Sequence, residues 1–132
     1  MMKKIIAAIL LGIMLCSLAA VSFADTNYFN FNISSASERP NGNKEDGPIK
    51  KNDSEQICYV TTTDGNVTAA KEFYVRSRTS VGNHEASQAM QITKNQYPYK
   101  LKYSVRKGIA GEYYNLRGQS DHPAWSKGRW NP

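Results

Sequence analysis

Residues that could carry acid–base, nucleophilic or metal chemistry are few in this sequence. The two histidines, His84 and His122, lie 38 residues apart, and each has one carboxylate neighbour, Glu85 or Asp121. This spacing matches no metal-binding motif. The chain also lacks G-x-S-x-G and H-E-x-x-H motifs and the glycine-rich loops that bind phosphates or dinucleotides. We therefore predict a protein that is not an enzyme, with no catalytic residue, no metal and no cofactor.

Cys58 is the only cysteine after the first 24 residues. It lies between Ile57 and Tyr59 in an apolar run, which predicts a buried thiol that packs as a small hydrophobic group. A nucleophilic role would need a nearby base, and the local sequence contains none. The alternative is a disulfide between two chains, so the oligomeric state is left open.

Basic and aromatic residues are the remaining candidates for function. Residues 67–132 carry eleven basic and four acidic side chains, whereas residues 25–66 carry four basic and seven acidic ones. A basic surface attracts anionic polymers, and an adjacent aromatic ring can stack on a sugar. The predicted binding residues are Lys100, Lys102, Arg106, Lys107, Arg117, Lys127, Arg129, Tyr74, Tyr113 and Trp125.

The elements that must position these side chains are short strands. Apolar and polar residues alternate with a period of two, and Gly, Asn and Asp turns separate the segments. In the clearest case, residues 97–106, aromatic and aliphatic side chains alternate with basic and polar ones. The predicted strands are residues 27–33, 57–63, 73–79, 86–93, 97–106, 112–117 and 124–130, of which 86–93 also suits a short helix. We predict an all-β fold, a small antiparallel β-sandwich of six to seven short strands, with a small β-barrel as the alternative.

Two further segments have a predicted structural role. Residues 34–56 contain two prolines, two glycines and only one large apolar residue, Ile49, so we predict a long, polar, mobile loop. Near the C-terminus, Gly128 permits a bulge or a close backbone approach, and Trp130 caps one end of the core. Pro132 is expected to end an edge strand.

The N-terminal segment has the three parts of a secretory signal. Lys3 and Lys4 precede an apolar stretch, and Ser22 and Ala24 form a small-x-small cleavage site. An uncleaved anchor is the alternative, but the apolar run of residues 5–21 has 17 residues, which is short for a span. We predict a helical signal peptide at residues 1–24 and one secreted domain at residues 25–132, either extracellular or associated with the cell wall. No membrane span is expected after cleavage.

The C-terminal third resembles the ending of a known family. G-I-A-G-E-Y-Y-N-L-R-G (108–118) and S-K-G-R-W-N-P (126–132) are similar to the last residues of small secreted proteins of unknown function, found mainly in Gram-positive bacteria. F-N-F-N-I (29–33) and E-F-Y-V-R (72–76) are similar to the family's early and central strands. The resemblance implies a secreted β-sandwich without catalytic residues. Some members are described as bacteriocin-like.

Together these observations favour a secreted, non-enzymatic binding protein. Its expected partner is an anionic cell-wall or surface polymer, or a surface protein, bound through the basic C-terminal half. The alternative is a bacteriocin-like antibacterial protein that acts on a competitor's envelope. No nucleic-acid-binding motif accompanies the basic residues, so no nucleic-acid partner is predicted.

Overall fold

The computed structural model describes residues 27–33, 43–94 and 98–132, which contain eight β-strands and no helix. The predicted signal peptide, its cleavage site and residues 34–42 lie outside these described residues. The strands are β1 (Asn27–Ile33), β2 (Asn43–Lys50), β3 (Ile57–Gly65), β4 (Tyr74–Thr79), β5 (Met90–Gln91), β6 (Tyr99–Lys102), β7 (Tyr113–Gln119) and β8 (Ala124–Asn131).

These strands form two four-stranded antiparallel sheets packed against each other. Sheet A has the order β1-β8-β3-β6, and sheet B has the order β2-β7-β4-β5. All the paired strands are antiparallel. The predicted all-β sandwich is therefore confirmed, with one strand more than the six or seven expected.

The core lies between the two sheets because alternate residues of each strand point inward. On β1 the predicted inward set is confirmed: Phe29, Phe31 and Ile33 are all buried. The ring of Phe31 lies 6.3 Å, centroid to centroid, from Phe73 on the opposite side of the core. A Cβ at Gly118 would lie 2.5 Å from the Phe31 ring, so the glycine on β7 leaves the space that this ring occupies.

Strand β2 corrects the prediction of a loop at residues 34–56, because residues 43–50 pair with β7 along the edge of sheet B. The strand is mostly exposed, so it lacks the apolar alternation that marks a half-buried strand. Its register shifts between Asp46 and Ile49, where Gly47 has φ 125°. Pro48 is tolerated there because the strand is at an edge.

The strand predicted at residues 97–106 is shorter than expected. β6 ends at Lys102, and the Lys107 N–H donates to the Ser104 carbonyl at 2.9 Å, closing a turn. Arg106 takes a positive φ of 60° in this turn, and Val105 is 89% exposed instead of facing the core. The predicted strand 86–93 is also reduced, to the two residues of β5.

Strand β8 is central and not an edge strand, which corrects the expectation for the C-terminus. It pairs with β1 on one side and β3 on the other. A Cβ at Gly128 would collide with the Thr61 carbonyl oxygen, so the predicted close approach at this glycine is confirmed. Trp130 is 2% exposed, and its Nε1–H donates to Asp46 Oδ2 at 2.6 Å, linking the two sheets.

Candidate functional site: a basic face on sheet A

Four of the predicted basic residues lie on the outer face of sheet A. The alternation of β8 buries Ser126, Gly128 and Trp130 and leaves Lys127 and Arg129 exposed. On β6, Leu101 is buried while Lys100 and Lys102 are exposed. We call these four exposed residues, Lys100, Lys102, Lys127 and Arg129, the basic face.

The strand register places aromatic and hydroxyl side chains among these cations. Tyr28 of β1 and Thr61 of β3 are the cross-strand partners of Arg129, and Tyr28 is 73% exposed. Tyr59 of β3 lies between Asn131 of β8 and Lys100 of β6. Cross-strand partners point to the same face of a sheet, so these side chains flank the basic face.

Tyr59 lies on the outer face of sheet A, although it belongs to the apolar run around Cys58. Its neighbours Cys58 and Val60 are both fully buried, so the alternation of the strand turns Tyr59 outward. Its hydroxyl donates to Glu55 Oε1 at 2.5 Å, and this hydrogen bond raises the pKa of the phenol. A period-two alternation around Cys58 was the signal that could have placed Tyr59 on the outer face.

The spacing of the basic face follows from sheet geometry. Residues two apart on one strand, such as Lys127 and Arg129, have Cα atoms about 7 Å apart. Strands β8 and β6 flank β3, and in the register Lys100 lies beside Tyr59 whereas Arg129 lies beside Thr61. The two pairs of cations are therefore separated by about 10 Å across the sheet and are also offset by about 7 Å along the strands. The face presents its four positive charges along a diagonal of the sheet.

One carboxylate, Asp64, partly neutralises this surface. It lies 3.5 Å from Lys127 Nζ and 3.9 Å from Lys94 Nζ, and all three side chains are substantially exposed. Such exposed pairs contribute little stability. Lys127 Nζ also lies 5.9 Å from the ring centroid of Trp125, another predicted binding residue. No ion pair among the described residues involves Lys100, Lys102 or Arg129.

Three other predicted binding residues lie on the outer face of sheet B, on the opposite side of the molecule. Tyr74 belongs to β4, and Tyr113 and Arg117 belong to β7. Arg117 already forms an ion pair with Glu45. Its Nε–H donates to Glu45 Oε1 at 2.9 Å, and its Nη2 lies 2.8 Å from the same oxygen. Arg117 is also the cross-strand partner of Arg76, which pairs with Glu85.

The last two predicted binding residues lie in a loop that connects two strands. Arg106 and Lys107 follow β6 in the connection to β7, and Lys107 Nζ donates to the Glu85 carbonyl at 2.9 Å. The structure thus brings together Lys100, Lys102, Lys127, Arg129 and Trp125, and separates them from Tyr74, Arg106, Lys107, Tyr113 and Arg117.

Cys58 is free and buried, as predicted. Burial raises the pKa of its thiol to about 12, and the positive charge of Lys51 lowers this pKa by a smaller amount. The thiol is therefore protonated at neutral pH, and a protonated thiol is a poor nucleophile. Because its side chain faces the core, Cys58 cannot reach the surface in this fold to form a disulfide with a second chain.

Lys51 is a fully buried charge that the sequence did not single out. Its Nζ donates to Asp53 Oδ1 at 2.7 Å and to the Pro132 carbonyl at 2.9 Å, and lies 5.3 Å from the ring centroid of Tyr103. These contacts replace the water that a buried ammonium group loses. Lys51 therefore links the segment before β3 to the C-terminal residues.

The histidines do not form a metal site with other described residues. His84 and His122 lie in connections between strands, and the described part of the chain contains no group of three or more His, Cys, Asp or Glu side chains placed to hold a metal. Among the same residues, no helix is long and apolar enough to cross a membrane.

Chemically, the basic face suits reversible binding of an anionic ligand. Its exposed cations attract negative charge, and its exposed aromatic rings can stack on sugars. No protein-family model matches this chain, and no curated protein or solved structure matches it either.

Proposed function

We propose that this protein is a secreted, non-enzymatic protein that binds anionic polymers of a cell wall or cell surface through its basic face. The observation that carries the proposal is the set of three cations, Lys100, Lys102 and Arg129, that share the outer face of one sheet without an ion-pair partner among the described residues. Cations that pair with no protein carboxylate remain available to an external anion.

A polymer suits this face better than a small ligand does. The four cations lie along a diagonal of the sheet, so a small molecule could not contact all of them at once. Neighbouring charges are about 7 Å apart along each strand, and the two strands that carry them are about 10 Å apart. A chain with regularly spaced anionic groups would contact several cations at once, and the contacts together would compensate for the weakness of each exposed pair.

Aromatic side chains support a polymer that contains sugars. Tyr28 is exposed beside Arg129. Trp125 lies two residues before Lys127 on β8, on the same face of the sheet. Aromatic faces stack on the apolar faces of sugar rings while neighbouring cations bind phosphate or carboxylate groups. The site of action follows from the predicted signal peptide at residues 1–24, which would deliver the domain to the outside of the cell.

The proposal is tested by co-sedimentation of residues 25–132 with purified Gram-positive cell walls, with and without their anionic polymers, at about 0.05 M and about 0.5 M salt. Binding at low salt that is lost at high salt, and lost when the polymers are removed, is the expected result. The triple variant Lys100→Gln, Lys102→Gln, Arg129→Gln should lower affinity about tenfold or more.

A matched control removes the same charge elsewhere. The triple variant Lys50→Gln, Lys71→Gln, Arg106→Gln also loses three positive charges, all at exposed positions outside the basic face. It should bind the walls almost as well as the original protein. Equal losses in the two triple variants would mean that only net charge matters, which would contradict a defined binding face.

A growth assay distinguishes binding from toxicity. The bacteriocin-like function predicted as an alternative uses the same attraction to an envelope but also damages the cell. Purified residues 25–132 should leave the growth of Gram-positive cells unchanged if the protein only binds. Growth inhibition that requires Lys100, Lys102 and Arg129 would instead favour the antibacterial function.

A further inference from the structure

A slot lies between the two sheets on one side of the sandwich. Strands β5 and β6 are the last strands of sheets B and A, and their edges border a cavity of about 380 Å³. One wall is formed by Gln88, Ala89 and Met90, and the other wall by Lys100, Leu101 and Lys102. This volume is at the lower end of the range for ligand sites in proteins.

Both ends of the slot are closed by contacts between the sheets. At one end Ser87 forms an isolated bridge with Tyr103, and the Ser104 N–H donates to the Ala86 carbonyl at 2.8 Å. At the other end the Thr93 N–H donates to the Tyr99 hydroxyl at 2.9 Å. Between these ties the two chain segments separate, so the opening has the length of about three extended residues.

The β6 backbone in this opening points toward the slot. The Tyr103 N–H donates to the Gln56 carbonyl at 3.1 Å, in continuation of the register that pairs Leu101 with Cys58. In an antiparallel ladder, residues alternate between those bonded to the neighbouring strand and those whose N–H and C=O point away. Lys100 and Lys102 therefore direct their backbone groups away from β3. Ser104, which has the same orientation, already uses its N–H to bind Ala86.

We propose that this slot binds an extended acidic peptide of another protein, which adds to the β6 edge as a fifth strand of sheet A. The outward N–H and C=O of Lys100 would bond to the peptide backbone, as in other cases of strand addition. The peptide is acidic because the residues that line the slot include two lysines and no carboxylate. This binding site goes beyond the polymer-binding function and depends on backbone geometry that polymer binding does not use.

The geometry also determines the pattern of the peptide. Residues that pair with the exposed Lys100 and Lys102 would lie on the outer face of sheet A, where aspartate or glutamate meets the two ammonium groups. Residues between them would point into the slot toward Leu101 and Met90, where an aliphatic side chain fits. The expected ligand thus alternates acidic and aliphatic residues.

The test uses the domain of residues 25–132 and a heptapeptide of alternating glutamate and valine, whose three central residues would occupy the opening while its ends extend into solvent. Binding is measured by amide chemical shifts, with cross-strand contacts sought between the peptide and the Lys100 backbone. The key variant is Lys100→Pro, which removes the outward N–H and places a ring in the path of the added strand. Proline is tolerated at an edge position whose N–H faces outward, so the fold should persist.

The matched control is Lys100→Ala, which removes the same charge but keeps the N–H. We expect Lys100→Ala to weaken peptide binding a few-fold and Lys100→Pro to weaken it by a further factor of about ten or more. A peptide N-methylated at its central residues should lose binding in the same way. In the cell-wall assay the two variants should behave alike, because there only the side-chain charge matters.

Three outcomes would overturn the proposal. The first is equal peptide affinity for Lys100→Pro and Lys100→Ala, and the second is equal affinity for a scrambled peptide of the same charge. The third is no binding at all, which would leave the two lysines as charges that protect an edge strand from aggregation. None of these outcomes affects wall binding through the basic face, so the two proposals fail separately.

Discussion

The hydrogen bond between Trp130 and Asp46 is predicted to strengthen the attachment of β2, which also pairs with β7, and Trp130→Phe tests this. The substitution removes the Nε1–H donor to Asp46 Oδ2, a contact of 2.6 Å between β8 of sheet A and β2 of sheet B. A hydrogen bond to a charged group contributes about 1.5 kcal/mol when the acceptor can rehydrate, as the half-buried Asp46 can. Replacing the buried indole by a smaller ring costs a further 1.5 kcal/mol, roughly, in lost packing.

The expected loss in the free energy of unfolding is therefore about 3 kcal/mol. In urea titrations of residues 25–132 this loss lowers the midpoint by about 2 M, for an m-value of about 1.5 kcal/mol/M. A double-mutant cycle of Trp130→Phe with Asp46→Ala isolates the hydrogen bond, and its coupling energy should be about 1.5 kcal/mol.

Glu45 provides a matched control for this cycle. It is the residue before Asp46 on β2 and pairs with Arg117 on the outer face of sheet B. Glu45→Ala should therefore show almost no coupling to Trp130→Phe. A coupling energy below about 0.5 kcal/mol for Asp46 would refute the reasoning, because the contact would then add little to the backbone pairing of β2 with β7.

Two other changes have defined outcomes. Gly128→Ala should prevent a stable fold, because the new Cβ would collide with the Thr61 carbonyl of the neighbouring strand. Circular dichroism and urea titration measure the loss of the fold. A cooperative unfolding transition near that of the original protein would contradict this prediction. The Cys58 thiol has a pKa raised from 9.0 to about 12 by burial, so above pH 9 the unfolded chain loses this proton first and stability falls between about pH 9 and 12. Cys58→Ala should lose less stability over this range, and an unchanged pH dependence would show that the thiol ionises equally well in the folded protein.

Most of the strands could be predicted from the sequence because their pattern is local. In β1, β4 and β7 every second residue is apolar or small, and most of the residues between them are polar. Such a strand can bury its apolar side chains only by turning that one face toward the core. The same pattern placed Lys100 and Lys102 on outward positions, where the structure has them. The burial of Cys58, predicted from the apolar run around it, is confirmed as well.

What the alternation of a single strand cannot determine is which strands become neighbours. β2 has no apolar face, and its place depends on the backbone of β7 and on the Asp46–Trp130 contact 84 residues away in sequence. For the same reason the ten predicted binding residues looked like one basic surface, although Arg117 and Tyr74 lie on the opposite sheet from Arg129.

The sequence by itself therefore determined the fold class and the inward or outward direction of most side chains, because these depend on periodicity within one strand. Only the tertiary structure decided that β8 is central, that β6 ends at Lys102 and that β5 and β6 border one slot. These features depend on pairing between distant segments, whose stability comes from backbone hydrogen bonds and shared burial that no short stretch of residues encodes.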